Sequence, residues 1–278
     1  MVEQVETSAT VRRGELRVTW LGQAGFQLEA GSEQVLIDPF FSAHPGRAYA
    51  PHEDWPTLAR TTVVLCTHEH EDHLDVPFLL RLLEAGARPA VIVPAPVRTA
   101  AASAGIEAAL LLGAEPARAI ERAGVTVRPV PAFHGRGGDE SVAYGFNHAT
   151  DASDAVRYLG YVVELGGLRV YHSGDTLLYP EMAEILMALK PDVMLLPING
   201  RDFMRERTGC VGNLNEGEAA WLCAEVGPRY VIPMHYDAMG DNLGDVGRFV
   251  TALRAIGAPV TAVVPARDVP VDLLVRSA

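Results

Sequence analysis

The residues Thr67-His68-Glu69-His70-Glu71-Asp72-His73-Leu74-Asp75 project the imidazoles of His68, His70 and His73 and the carboxylate of Asp72 within six positions. Neutral imidazole and carboxylate are the donors that suit zinc, manganese or iron. The stretch directly follows the apolar run Thr62–Cys66, which reads as a buried strand, so it should form the turn at that strand's C-terminal end. Layered α/β folds place their ligand sites at such ends. One turn of this kind cannot close two metal positions, so further ligands are expected at other strand ends. His134 in PAFHG, Asp175 in HSGDT and His235 in PMHYD each stand just beyond an apolar run. Alone, each would equally serve as an ordinary core or surface residue. In combination with the turn they point to a shared site.

Weaker candidates surround these. Arg201, Arg205 and Arg207 fall in one polar stretch, and guanidinium groups bind phosphate or carboxylate in a bidentate manner. A solvated loop with local ion pairs explains them as well. Asn215 reads as the N-cap of a following helix, a structural role. His172, Asp237, Asp75 and Asp38 could orient metal-bound rings from outside, since ligating histidines commonly donate their second N–H to a carboxylate or carbonyl. Tyr236 adjoins His235. His44 and His52 read as rim residues and His148 as a surface residue. Cys66 and Cys223 read as core, and Cys210 has no feature of an activated nucleophile.

Placing such ligands requires strands, and the hydrophobic pattern supplies them. Leu16–Leu21, Gly25–Glu29 and Gln34–Ile37 read as an antiparallel meander, followed by strands Thr62–Cys66, Val91–Val93, Val125–Val130, Tyr158–Glu164 and Leu168–Tyr171. Later strands are expected at Val193–Pro197, Tyr230–Pro233, Val260–Val264 and Val271–Val275. Helices are expected at Val76–Glu84, Ala95–Ala104, Glu115–Arg122, Tyr179–Leu189, Glu216–Val226 and Val246–Ile256. Strands mixed with helices along the whole length indicate an α/β layered architecture, read as one domain over residues 1–278 with two similar halves meeting near residue 150. Long loops are expected at Phe41–Trp55, Gly135–Asp154 and Asn199–Asn215, the kind of segment that forms functional rims.

Composition narrows the function. Across 278 residues, 23 Lys and Arg face 35 Asp and Glu, a net charge of −12. That balance argues against a nucleic-acid polymer as partner, because phosphate affinity comes mainly from basic side chains. A small anionic molecule remains compatible, since a metal ion supplies local positive charge. Three cysteines are too few and too scattered for a disulfide framework. No apolar run approaches the roughly 20 residues of a membrane helix, and the N-terminal stretch lacks the apolar region of a signal peptide, so the expected compartment is the cytoplasm.

The ordered set of Thr67–His73, His134, Asp175 and His235 resembles the metallo-β-lactamase superfamily of metal-dependent hydrolases. The segments Trp20-Leu21-Gly22-Gln23-Ala24-Gly25-Phe26 and Ile37-Asp38-Pro39 are similar to the opening strands of its four-layer αββα sandwich. Carried over by position, the resemblance implies one metal held by His68, His70 and His134. A second would be held by Asp72, His73 and His235, with Asp175 bridging. It implies two divalent ions, zinc or manganese with iron as a third option, and a metal-bridging hydroxide attacking an ester or lactone. Asp72 would orient that hydroxide and protonate the leaving group. Within the superfamily, Tyr171–Asp175 and Ile232–Asp237 are most similar to the L-ascorbate-6-phosphate lactonase-like branch. That branch carries an acidic residue where this chain has His134, so lactone opening enters as one candidate reaction. A phosphodiesterase acting on a cyclic nucleotide or another phosphodiester is the alternative, and a non-catalytic metal-binding protein is a remote one. Redox members carry a carboxylate where this chain has His70, which argues against them. Relatives often associate, so a homo-oligomer is compatible with the resemblance.

Overall fold

The solid apolar runs of this sequence are strands that face a packed layer on each side. The computed structural model describes residues 15–51, 55–134, 156–207 and 212–274. His52, His148 and Cys210 lie outside the described residues, as does the loop expected at Gly135–Asp154. A first sheet contains β1 (Glu15–Gly22), β2 (Gly25–Ala30), β3 (Glu33–Ile37), β4 (Val63–Leu65), β5 (Ala90–Pro94) and β6 (Leu111–Ala114). A second contains β7 (Ile120–Arg122), β8 (Val125–Pro131), β9 (Leu159–Leu165), β10 (Leu168–His172), β11 (Val193–Pro197), β12 (Tyr230–Met234) and β13 (Thr261–Ala262). The last strand, β14 (Pro270–Leu274), returns to pair antiparallel with β1, so each sheet has seven strands.

Alternation along the strands explains the layering. Leu16, Val18 and Trp20 of β1, Val63 and Leu65 of β4, and Val193 and Leu195 of β11 share one core between the sheets. The opposite-facing Val64 and Val91 pack against α1 (Val76–Glu84) and α2 (Arg98–Ser103). On the far side, Met194, Leu196 and Val231 pack against α3 (Met182–Leu189), α5 (Glu216–Val226) and α6 (Val246–Ile256), while a short helix α4 (Phe203–Arg207) interrupts the loop after β11. The result is the expected αββα sandwich, helices outside and two sheets within.

One segment departs from its expected form. Glu115–Arg122 is not a helix. Its Ala-rich composition favours helix, but Pro116 restricts the residue before it, and Ile120 pairs across to Val127. Ala123 and Gly124, both with positive φ (48° and 74°), form the two-residue hairpin loop between β7 and β8. The chain therefore passes from one sheet to the other at residues 115–119, earlier than the expected midpoint near residue 150.

Strand direction decides where loops gather. β10, β11 and β12 are mutually parallel, and β8 shares their direction because β9 is antiparallel to both β8 and β10. The C-terminal ends of β8, β10, β11 and β12 thus open on one rim. Opposite them lies the end of β4, joined across the gap by Leu159 N donating to Thr67 O (3.0 Å) and the Tyr161 hydroxyl donating to Cys66 O (2.9 Å).

Candidate metal centre

Each expected ligand leaves a strand end on this rim. The 67–75 turn follows β4, His134 follows β8, Asp175 follows β10 and His235 follows β12. Local backbone geometry aims them. Gly174 adopts φ +59°, and a Cβ there would come within 2.7 Å of Leu159 O and 2.8 Å of Thr67 Cβ, so only glycine brings Asp175 this close to the turn. His235 itself sits at φ +56°, the sparsely populated left-handed conformation that recurs at functional positions.

The side chains converge in three groups, each with donor atoms within 4.8 Å of one another: His68, His70 and His134; Asp72, His73 and His235; and His68, His73 and Asp175. His68 Nε2 and His70 Nδ1 lie 2.9 Å apart. Asp175 reaches both sides, with Oδ1 3.4 Å from His73 Nε2 and Oδ2 3.7 Å from His134 Nε2 and 3.3 Å from His235 Nε2. Asp72 Oδ2 stands 3.5 Å from His73 Nε2 and 3.6 Å from His235 Nε2. Donors about 2.1 Å from a tetrahedral cation stand roughly 3.4 Å from each other, so these spacings suit metal coordination. His73 Nε2 and Asp175 Oδ1 are buried with no hydrogen-bond partner, a costly arrangement that a cation would relieve. The donor set therefore fits divalent metal.

Electrostatics sorts the rings. Burial drives His68 well below the ordinary imidazole range, with neighbouring His73 and His70 adding to the shift, and lowers His134 to about 4. Their lone pairs are thus free at neutral pH. Burial opposes charge on His73 too, but Asp72, Asp175 and Asp38 outweigh it and raise its pKa well above the usual value. Burial likewise opposes ionisation of Asp72 and Asp175. Against it, His73 and His235 hold both well below the usual carboxylate range.

Outer contacts fix the ligands, and they divide the expected candidates. Asp38 does support the site: its Oδ2 accepts from His73 Nδ1 (2.7 Å) and Thr67 Oγ1 (2.7 Å), turning His73 Nε2 inward. Asp75 does not touch a ligand ring. It caps α1 by accepting from Phe78 N (3.0 Å) and also accepts from Phe41 N, Ser42 N and Ser42 Oγ. Asp237 faces Tyr49 and Arg267 instead of a ligand ring. His172 donates to Ala24 O (2.8 Å) and accepts from Gly174 N (3.1 Å), so it shapes the Asp175 turn. Tyr236 stacks on Trp20. His44 pairs with Glu71 at the edge of the turn.

The arginine loop is braced internally. Arg201 donates to Glu218 (2.7 and 2.5 Å) and to Asn213 O, and Glu218 completes the expected Asn215 capping box of α5. Arg205 donates to Asp202, Asn199 O and Asn242. Arg207 ends α4, and its side chain is outside the described set.

Three neighbours of the site went unread in the sequence. Tyr158 packs its ring 5.3 Å from those of both His68 and His134 and 6.1 Å from His70. Arg157 forms an ion pair with Glu69 inside the metal turn. Gln23, at the β1–β2 turn, places Nε2 2.8 Å from Asp72 Oδ2 and 2.9 Å from His235 Nε2. The repeated glycines around Gln23 signalled a turn, but no residue type there marks a metal neighbour.

The chain is similar in sequence and fold to known proteins. The Beta-lactamase superfamily domain matches residues 33–236. A UPF0173 metal-dependent hydrolase from Pyrococcus furiosus is 33% identical over 236 residues, covering 84% of this chain and 90% of that protein. Another from Cupriavidus taiwanensis is 30% identical over 276 residues, covering 93% and 87%. In fold, the chain is similar to Igni18, a metallo hydrolase from Ignicoccus hospitalis, with a TM-score of 0.70 at 23% identity, covering 94% of this chain and 100% of that one. With its histidines and aspartates gathered at one rim of an αββα sandwich, this chain belongs to the β-lactamase superfamily, as a metal-dependent hydrolase similar to the UPF0173 proteins.

Proposed function

We propose that this protein hydrolyses a small anionic ester or lactone, of the sugar-phosphate lactone kind, at a centre of two divalent cations, with zinc or manganese as occupants and iron as a third candidate. The observation that carries this reading is the convergence of seven side chains from both sheets, with Asp175 within 3.7 Å of ligand nitrogens on either side. His68, His70 and His134 would hold one cation, Asp72, His73 and His235 the other, and Asp175 would join them. Such cations lower the pKa of coordinated water towards neutrality and polarise the carbonyl or phosphoryl group under attack. Asp72, kept ionised by the imidazoles around it, would take a proton and pass it to the leaving group. Asp38 holds His73 in one orientation throughout. The loop bearing Arg201, Arg205 and Arg207 follows β11 onto the same rim, and we assign anion recognition to it. Arg201 would reach an anion by exchanging its pairing with Glu218.

The test is metal analysis of the purified protein together with turnover of a panel of sugar lactones, simple esters and bis(4-nitrophenyl) phosphate. Bound metal near two equivalents with preferred lactone or ester turnover is expected. Preferred turnover of the phosphodiester would reassign the enzyme as a phosphodiesterase. Bound metal with no turnover across the panel would favour a non-catalytic role.

A further inference from the structure

We propose that Tyr158 is a positioning residue for the first cation position, where its ring holds the imidazole of His134 in place of a hydrogen bond that this histidine lacks. The inference rests on the metal-centre reading above and adds one residue to it.

Histidines that bind a metal commonly fix their ring through a hydrogen bond at the second nitrogen. His73 follows that habit, with Nδ1 2.7 Å from Asp38 Oδ2. His68 does too, with Nδ1 3.0 Å from Thr67 Oγ1. His134 departs from it. Its Nδ1 is buried and has no hydrogen-bond partner among the described residues. Its Nε2 stands 3.7 Å from Asp175 Oδ2, longer than a hydrogen bond. Packing must therefore set the angle of this ring.

Tyr158 supplies that packing. It is 3% exposed, and its ring meets that of His134 edge to face, with centroids 5.3 Å apart and planes at 87°. The same ring lies 5.3 Å from His68 and 6.1 Å from His70, so one side chain abuts all three imidazoles of the first position. Its backbone is anchored on both sides. Tyr158 O accepts from Ala132 N (3.0 Å), two residues before His134, and Leu159 N donates to Thr67 O (3.0 Å), beside His68. The ring is thus fixed relative to the two chain segments that deliver the ligands. What this role requires is a flat ring, and the phenolic hydroxyl is dispensable to it.

The test is calorimetric titration of the metal-stripped full chain with zinc at one fixed pH, comparing wild type, Tyr158→Phe and Tyr158→Leu. His134→Ala identifies the binding step that belongs to the first position. That step should weaken by about tenfold to a hundredfold in Tyr158→Leu, the usual cost of losing an outer partner of a metal ligand, while the other step is unchanged. Tyr158→Phe keeps the ring and should bind like wild type. Combined with His134→Ala, Tyr158→Leu should leave binding within about threefold of His134→Ala alone, because a positioning effect disappears with the residue it positions. The proposal is overturned if Tyr158→Leu binds like wild type, if Tyr158→Phe loses as much as Tyr158→Leu, or if both steps fall together. It is equally overturned if Tyr158→Leu weakens His134→Ala by the factor it costs wild type. Should Tyr158→Leu fail to fold, Tyr158→Met, which fills volume without a flat face, is judged by the same outcomes. Failure of wild type to bind zinc at all would instead remove the metal-centre reading, and the role of Tyr158 with it.

Discussion

Opposite protonation habits distinguish the residues of this centre. His134 is neutral down to about pH 4 because burial penalises its charged form, whereas His73 holds a proton because three carboxylates surround it. A cation arriving at His73 must displace that proton. With its pKa raised, His73 keeps a competing proton to higher pH than an ordinary imidazole, and that proton is lost only as pH climbs through the elevated value. Zinc binding to the stripped protein should therefore release protons in neutral buffer, and affinity at the His73 position should rise with pH. Titration in two buffers of different ionisation enthalpy reads the release directly, and identical heats would refute it. The convergence of these seven side chains was legible in the sequence because histidine and aspartate announce their chemistry by type and by position after apolar runs. Gln23, Arg157 and Tyr158 were not, since glutamine, arginine and tyrosine are ordinary residues until the turns that carry them are seen to meet at His235, Glu69 and His134.

Elements carry the ligands, and their caps carry the elements. α1, α5, β11 and α6 have the boundaries that periodicity implied, because capping residues and prolines mark their ends. β6 and β7 were hidden: at four and three residues they are too short to show a strand's alternation, and only pairing with β5 and β8 makes them strands. Asp75 shows how closely structure and site are interleaved. It lies five residues from His70 in the sequence, yet it binds the start of α1 and the backbone of Phe41 and Ser42 rather than a ligand. Asp75→Ala removes a helix cap and the acceptor of the Phe41 and Ser42 backbone N–H groups, so a loss of about 2–4 kcal/mol in urea unfolding is expected. Metal stoichiometry should stay at the wild-type value in the folded variant. A change in stoichiometry would mean Asp75 serves the centre itself.

At the scale of the whole molecule, the centre is a clasp between two sheets. His68, His70, Asp72 and His73 extend from the first sheet, and His134, Asp175 and His235 from the second. Cations bound there would add to the shared core of Leu65, Ile92, Tyr161 and Leu195 a link that exists only in the folded state. Ligands that bind the folded form alone stabilise it by about 4 kcal/mol at a thousandfold excess over Kd. Chelation should then lower the melting temperature by on the order of 10 °C, and zinc or manganese should restore it. An unchanged melting curve after verified metal removal would show that the sheets hold without the clasp.

The most direct examination of the shared centre is anomalous diffraction at the absorption edge of whichever metal purifies with the protein. Two peaks should appear at the rim, one bonded to His68, His70 and His134 and the other to Asp72, His73 and His235, with Asp175 touching both. Metal bound elsewhere on the surface, with these seven side chains left uncoordinated, would contradict that assignment.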